Sequence, residues 1–210
     1  MTFSGEKIEA LKKEIQARLS ERRFNHTLGV MRAAEKIACF CLPEDISELR
    51  VAALLHDVTK ELDCGEEVRI LKQLGVSTNE MLSPPVYHSI TAPVVIRRDF
   101  PEFATENVLS AVYNHTTAAH DMSLFDEIIF VADYVEDGRT YPACVAVRES
   151  LYSAFSLAKD REECIMHLHD ATIAALDNTI MEIVRAGKYL NLRTVKARNA
   201  FIGRRPMPLN

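Results

Sequence analysis

Leu49-Arg-Val-Ala-Ala-Leu-Leu-His-Asp57 is an apolar helical run that ends on an imidazole and a carboxylate. The core face of such a helix ordinarily excludes charge, so His56 and Asp57 both need a partner, and a metal ion is the obvious candidate. Adjacent residues on a helix diverge by about a quarter turn, because one turn holds about 3.6 residues. At a helix end, however, the pair can converge on one ion while the second carboxylate oxygen reaches another. Taken alone, a His-Asp dipeptide reads as a capping Asp beside a satisfied His. Its company changes the reading: His26 lies upstream, and His88, His115 and Asp133 follow, each at or inside a predicted helix.

Upstream, Ile8, Leu11, Ile15 and Leu19 recur at three- and four-residue steps and predict an amphipathic helix from Glu6 to Ser20. Val30, Ala33, Ala34, Ile37 and Cys41 make the face of a second helix expected to start at His26 and to end before Pro43. The central run gives a third helix from about Ser47 to Asp57. A fourth, from about Glu66 to Leu74, stops at Gly75, a residue suited to a left-handed cap.

Downstream, Pro84-Pro85 marks a loop, His88 stands at the entry to a further apolar segment, and Pro93 is expected in the first turn of that helix. Thr105 to Asn114 reads as a helix leading to His115. Ser123-Leu-Phe-Asp126 has the form of a capping box and opens a strongly apolar helix in which Ile129, Phe130, Val131 and Ala132 surround Asp133. Gly138 and Pro142 bracket a loop that holds Arg139. Two long helices, about Ala143 to Ala158 and Arg161 to Arg185, precede a short one from about Leu192 to Phe201. The tail Gly203-Arg-Arg-Pro-Met-Pro-Leu-Asn210 is expected to be mobile. No segment alternates with period two, so the fold class is all-α.

The 210 residues, 48% of them hydrophobic, suffice for one well-buried domain spanning residues 1–210. A net charge of -5 argues against nucleic-acid binding, which needs clustered Lys and Arg. The N-terminus has no signal-peptide core, and no run approaches the roughly 18 apolar residues of a membrane span, so a cytoplasmic protein without membrane contact is expected. The 5 cysteines, Cys39, Cys41, Cys64, Cys144 and Cys164, are odd in number and scattered; they read as small buried hydrophobes, as the Met and Phe positions do.

The order His26, His56-Asp57, His88, His115, Asp133 resembles the HD-domain metal-dependent phosphohydrolases, whose simplest members hold one metal with a His, an HD pair and a distal Asp. The two intervening histidines are the mark of two-metal members. The flanking stretches Arg23-Phe-Asn-His-Thr-Leu-Gly-Val30, Leu54-Leu-His-Asp-Val-Thr-Lys60, Tyr113-Asn-His-Thr-Thr117 with Met122-Ser123, Phe130-Val-Ala-Asp-Tyr-Val-Glu136 with Arg139, and Thr194-Val-Lys-Ala-Arg-Asn199 look like the bacterial symmetrical bis(5'-nucleosyl)-tetraphosphatases of that fold, the YqeK family. The likeness runs from about Arg22 to Asn199. It departs after His88, where Ser-Ile-Thr-Ala-Pro93 replaces a Gly-containing stretch, and at His120, where no fixed residue is expected.

The resemblance implies an HD helical bundle, with a core of about residues 22–140 and a helical extension of about 143–201. It also implies two divalent ions held by His26, His56, Asp57, His88, His115 and Asp133, with Asp57 bridging. Imidazole and carboxylate ligands suit iron, manganese, cobalt or nickel, and the resemblance favours iron. The implied substrate is a dinucleoside polyphosphate, diadenosine tetraphosphate above all, cut symmetrically. The rivals are an HD phosphohydrolase of another nucleotide or phosphate ester, and a nucleotide-binding regulator without catalysis. Assembly is left open, a homodimer being one option.

Several residues remain as candidate phosphate or substrate contacts. Lys60 could neutralise phosphate or be solvated. Arg139 suits a bidentate phosphate contact or an ion pair with Glu136 or Asp137. Thr116 and Thr117 could donate to phosphate or cap a helix. Arg23 could meet substrate or the acidic rim, and His120 is an acid-catalyst candidate that otherwise reads as a surface residue. The second dipeptide, His169-Asp170, sits mid-helix without an upstream His at comparable spacing and reads as unrelated to the site.

Overall fold

The computed structural model describes residues 2–77 and 80–204. The tail expected to be mobile lies, from residue 205 onward, outside them. Among the described residues there is no strand, and the helices are α1 (Gly5–Arg18), α2 (Glu21–Cys41), α3 (Ile46–Leu55), α4 (Cys64–Gln73), α5 (Tyr87–Asp99), α6 (Glu106–Asn114), α7 (Leu124–Val135), α8 (Pro142–Leu157), α9 (Arg161–Arg185) and α10 (Leu192–Gly203). The fold is all-α. No helix is long and apolar enough to cross a membrane.

The centre of the bundle is α7. The Ser123 hydroxyl accepts from the Asp126 N–H and the Asp126 carboxylate accepts from the Ser123 N–H, closing the capping box expected there. From that fixed start the helix buries Phe125, Ile128, Ile129, Phe130, Val131, Ala132 and Val135, so it is apolar nearly all round, as a central helix must be. It packs on α2, α6 and α9; α2 lies on α3, α3 on α6, and α9 on α8 and α10. The ends of several helices thereby meet at one place: the early turns of α2 and α5, the C-terminal ends of α3 and α6, and the last turn of α7.

Three local expectations need correction. α2 begins at Glu21, not at His26, because the Ser20 hydroxyl accepts from the Arg23 N–H and is itself held by Glu61; His26 therefore sits in the second turn. Pro93 is inside α5, since Pro84-Pro85 form only a short 3-10 turn and the α-helix starts after it at Tyr87. Cys39 and Cys64 are exposed, only Cys41, Cys144 and Cys164 being buried, and Phe40, Met166 and Met181 also reach solvent. Gly75 does adopt φ 65° just beyond α4, where the left-handed conformation favours glycine.

Ile37 is fully buried between α2 and its neighbours. Ile37→Ala is expected to cost about 2–5 kcal/mol in urea unfolding, through lost burial and a cavity. Asp99, which joins α5 to α1 through Arg18, is held at about 2 by hydrogen bonds from Arg98 and Arg18. Its unfolded value is about 3.9, so its contribution is fully present above that pH and disappears as pH falls through about 2. Asp99→Asn should therefore lower stability at neutral pH and bring the acid limb of a stability-versus-pH curve closer to flat.

Candidate metal centre

His56 is the residue that caps α3 and still has helical dihedrals, φ -56° and ψ -38°. Its Nδ1 lies 2.7 Å from the Ala53 carbonyl oxygen, to which it donates. His115 repeats the device at the end of α6, with Nδ1 2.7 Å from the Val112 carbonyl. In both rings a backbone carbonyl three residues back fixes the proton on Nδ1 and leaves the Nε2 lone pair facing inward. Asp57 follows in the turn after α3 and is 3% exposed.

The carboxylate of Asp57 faces two groups of imidazoles with its two oxygens. Oδ2 lies 3.4 Å from His56 Nε2 and 3.7 Å from His26 Nε2; Oδ1 lies 3.3 Å from His88 Nε2 and 3.7 Å from His115 Nε2. Asp133, from the last turn of α7, places Oδ1 3.1 Å from His26 Nε2. One donor atom from each of His26, His56 and Asp133 falls within 4.8 Å of the others, and so does one from each of His56, Asp57 and His115. His26 Nε2 and His56 Nε2 are buried and have no hydrogen-bond partner. Buried polar atoms are rarely left so, and a cation with imidazole and carboxylate ligands satisfies both. The residues present therefore fit a divalent metal.

The charges around the centre are strongly biased. Burial works against ionisation of Asp57 and Asp133, yet the imidazoles, and Arg139 beside Asp133, hold both carboxyls well below the usual range. Burial likewise opposes the His26 charge, but the carboxylates of Asp133, Glu136 and Asp57 around the ring bring its pKa up to about 9. Burial, the facing His115 and Lys60 push His88 well down, and burial lowers Lys60.

All the sequence-derived ligand candidates meet in this cluster. Lys60 is half-buried, and its Nζ lies 3.1 Å from His88 Nδ1. Arg23 donates to Asp57 Oδ2 at 2.7 Å. Arg139 pairs with neither Glu136 nor Asp137 but with Asp133, Nη2 to Oδ1 at 2.7 Å, while its Nε donates to the Asp133 carbonyl. Thr116 places Oγ1 3.0 Å from His115 Nε2. Two candidates are not brought in. The buried Thr117 hydroxyl donates to the Ala118 carbonyl, and His120 projects into solvent beside Asp121. His169 is also apart, its Nδ1 2.8 Å from the buried Glu127 carboxylate, which ties α9 to α7.

Two supporting residues escaped the sequence reading. Glu136, just beyond α7, sets Oε1 3.1 Å from His26 Nδ1 and accepts from the Gly138 N–H at 2.7 Å. Gly29 makes room for it, since a Cβ there would lie 2.2 Å from Glu136 Oε2. Arg148, on α8, directs Nη1 at the carbonyls of Val135, Glu136 and Arg139, at 3.3, 2.8 and 3.2 Å. That guanidinium fixes the loop carrying both Glu136 and Arg139. A carboxylate closing an apolar helix was the available signal for Glu136; an arginine in an ordinary amphipathic helix gave none.

The sequence matches the HD domain family over residues 23–138. A Staphylococcus aureus protein named symmetrical bis(5'-nucleosyl)-tetraphosphatase is 33% identical over 154 residues, 72% of this chain and 78% of that protein. A protein of the same name from Halalkalibacterium halodurans is 28% identical over 190 residues, 90% of this chain and 93% of its own length. A Clostridium acetobutylicum crystal structure, described as a predicted HD superfamily hydrolase involved in NAD metabolism, is similar with a TM-score of 0.80 at 28% identity, covering 98% of this chain and 100% of that one. Helix-end histidines around a buried aspartate, on a bundle of this shape and with these relatives, have one reading: the chain belongs to the HD-domain family, in the group of the symmetrical bis(5'-nucleosyl)-tetraphosphatases.

Proposed function

We propose that this protein hydrolyses diadenosine tetraphosphate and related dinucleoside tetraphosphates symmetrically, giving two nucleoside diphosphates. The observation that carries the metal-dependent half of this reading is the pair of buried, unpartnered imidazole nitrogens of His26 and His56 beside Asp57 and Asp133. The substrate follows from the names of the Staphylococcus and Halalkalibacterium relatives. In this reading His26, His56, Asp57 and Asp133 hold one divalent ion and Asp57, His88 and His115 a second, iron first, with manganese, cobalt and nickel compatible. Bound ions would supply Lewis acidity, making water acidic enough to attack phosphorus near neutral pH and sharing the phosphoryl charge.

The chain's own residues do the rest. Arg139, aimed by Asp133 and by the loop that Arg148 holds, meets the phosphoryl oxygens of the departing half. Lys60, kept beside His88, offers a second positive group there, and Thr116 a hydroxyl. Arg23 holds the Asp57 carboxylate and offers a further guanidinium to the substrate phosphates. Glu136 fixes the His26 ring so that Nε2 faces inward. A cytoplasmic setting, where unpaired thiols stay reduced, suits the free cysteines.

With manganese-loaded protein and diadenosine tetraphosphate, ADP is expected as the sole nucleotide product on ion-exchange chromatography, and Asp57→Asn should produce none. AMP with ATP would refute symmetric cleavage, and normal turnover by the variant would remove the metal centre from the mechanism. Glu136→Gln is expected to weaken metal binding by about 10–100-fold in a chelator competition, with turnover largely restored at saturating metal.

A further inference from the structure

The helices α3 and α6 both deliver an imidazole from their C-terminal ends, but the turns that carry them are fixed by different means. His56 is preceded by Leu54 and Leu55, both fully buried, and packing in the core holds that turn. His115 is preceded by Tyr113, which is half-buried, and Asn114, which is buried but polar. The last carbonyls of a helix have no partner within it, so a final turn that is not tied down frays, and a side chain mounted on it moves too. Here polar groups tie it down. Asn114 Nδ2 donates to Asp126 Oδ2, in the capping box of α7, at 3.3 Å, and Arg193 Nη2, from α10, donates to Asn114 Oδ1 at 2.8 Å. The same guanidinium lies over the Tyr113 ring, 4.3 Å from its centroid. One side chain of α10 thus holds both residues that lead into His115.

Three features mark Arg193 as placed for this contact. It stands in the first turn of α10, where the helix dipole disfavours a cation. It forms no ion pair among the described residues, its charge being met by an amide oxygen and a ring face. Its Nη1 is buried without a hydrogen-bond partner, which costs stability rather than adding it. The docking of α10 itself is supplied elsewhere: Arg198 donates to Asp177 of α9 at 2.7 Å, and Phe201 is fully buried.

Resting on the two-ion centre proposed above, we propose that Arg193 is a positioning residue for the ion held by His88 and His115. Through Asn114 and Tyr113 it fixes the last turn of α6, and so keeps His115 Nε2 aimed into the cluster. His26, His56 and Asp133, assigned to the other ion, come from α2, the end of α3 and the last turn of α7, with which Arg193 makes no hydrogen bond or ion pair among the described residues.

The test titrates the full chain with manganese against a chromophoric chelator, which reads the two ions as separate steps; the step that His115→Ala removes belongs to His88 and His115. Arg193→Ala is expected to weaken that step about tenfold and the other less than about twofold. Arg193→Lys, which keeps a donor for Asn114 and a cation over Tyr113, should stay within about threefold of the native protein. Asn114→Ala should reproduce the loss, and the double variant should lose no more than the single one, because the arginine acts through the amide. Should Arg193→Ala fail to fold, Arg193→Met, which keeps the stem and removes the donors, carries the same expectation. Arg198→Ala, which loosens α10 without touching α6, should leave both steps unchanged. Equal weakening of both steps, weakening of neither, or the same loss in Arg198→Ala makes Arg193 a purely structural residue and overturns the proposal. A native protein that binds fewer than two manganese ions per chain overturns the two-ion reading itself; one that binds two, together with any of the adverse results, overturns only the role of Arg193.

Discussion

A carboxylate with almost no access to water, Asp57, sets the terms for everything around it. Removing such a group from solvent is costly unless positive charge and hydrogen-bond donors replace the lost water. The bundle supplies them from separate helices: Arg23 and His26 from α2, His56 from the end of α3, His88 from α5 and His115 from the end of α6. No pair of helices could do this. The helix lengths and the loops between them are constrained by having to bring those ends to one point, and α7, apolar nearly all round, serves as the post on which they register.

Support for the centre extends well beyond its inner layer. Thr59 donates to the His88 carbonyl and Thr91 to Thr59, a buried hydroxyl chain that binds the first turn of α5 to the turn after Asp57. Ala118, just past His115, has φ 57°, a conformation that costs a non-glycine residue about 1–2 kcal/mol and that the surrounding core imposes. Arg148 lies beyond the residues that match the HD domain family, 23–138, yet it grips the loop on which Arg139 is mounted. The helices after that stretch therefore belong to the site as much as those inside it: α8 aims an arginine, and α9 walls a groove beside His115 and Asp133.

Much of this was legible because ionisable side chains in apolar helical runs have few explanations. His56-Asp57 after Leu54-Leu55, and Asp133 inside Ile129–Ala132, announce themselves against the helical period, and the capping box at Ser123 fixes where α7 starts. The start of α2 was misplaced because Ser20 lies before a polar stretch, Glu21-Arg-Arg, that carries no apolar periodicity. Pro93 was misplaced because a proline inside a helix is tolerated only when tertiary packing outweighs its lost N–H, and packing is not written in local sequence. Thr117 and His120 are neighbours of His115 in the chain but not in the cluster: the Thr117 hydroxyl is spent on the Ala118 carbonyl, and His120 lies beyond the left-handed step at Ala118, exposed to solvent. Glu136 and Arg148 act through partners far along the chain or through backbone carbonyls, neither of which leaves a spacing to read.

The carbonyl acceptors three residues behind His56 and His115 have a consequence for how the centre exchanges its occupant. Each ring is aimed by its own helix, so its orientation does not depend on the ion. Loss of an ion leaves a shaped vacancy, and reloading needs no refolding. Rings held in a fixed direction offer their nitrogens at set positions, which favours a cation that accepts imidazole and carboxylate donors in that arrangement.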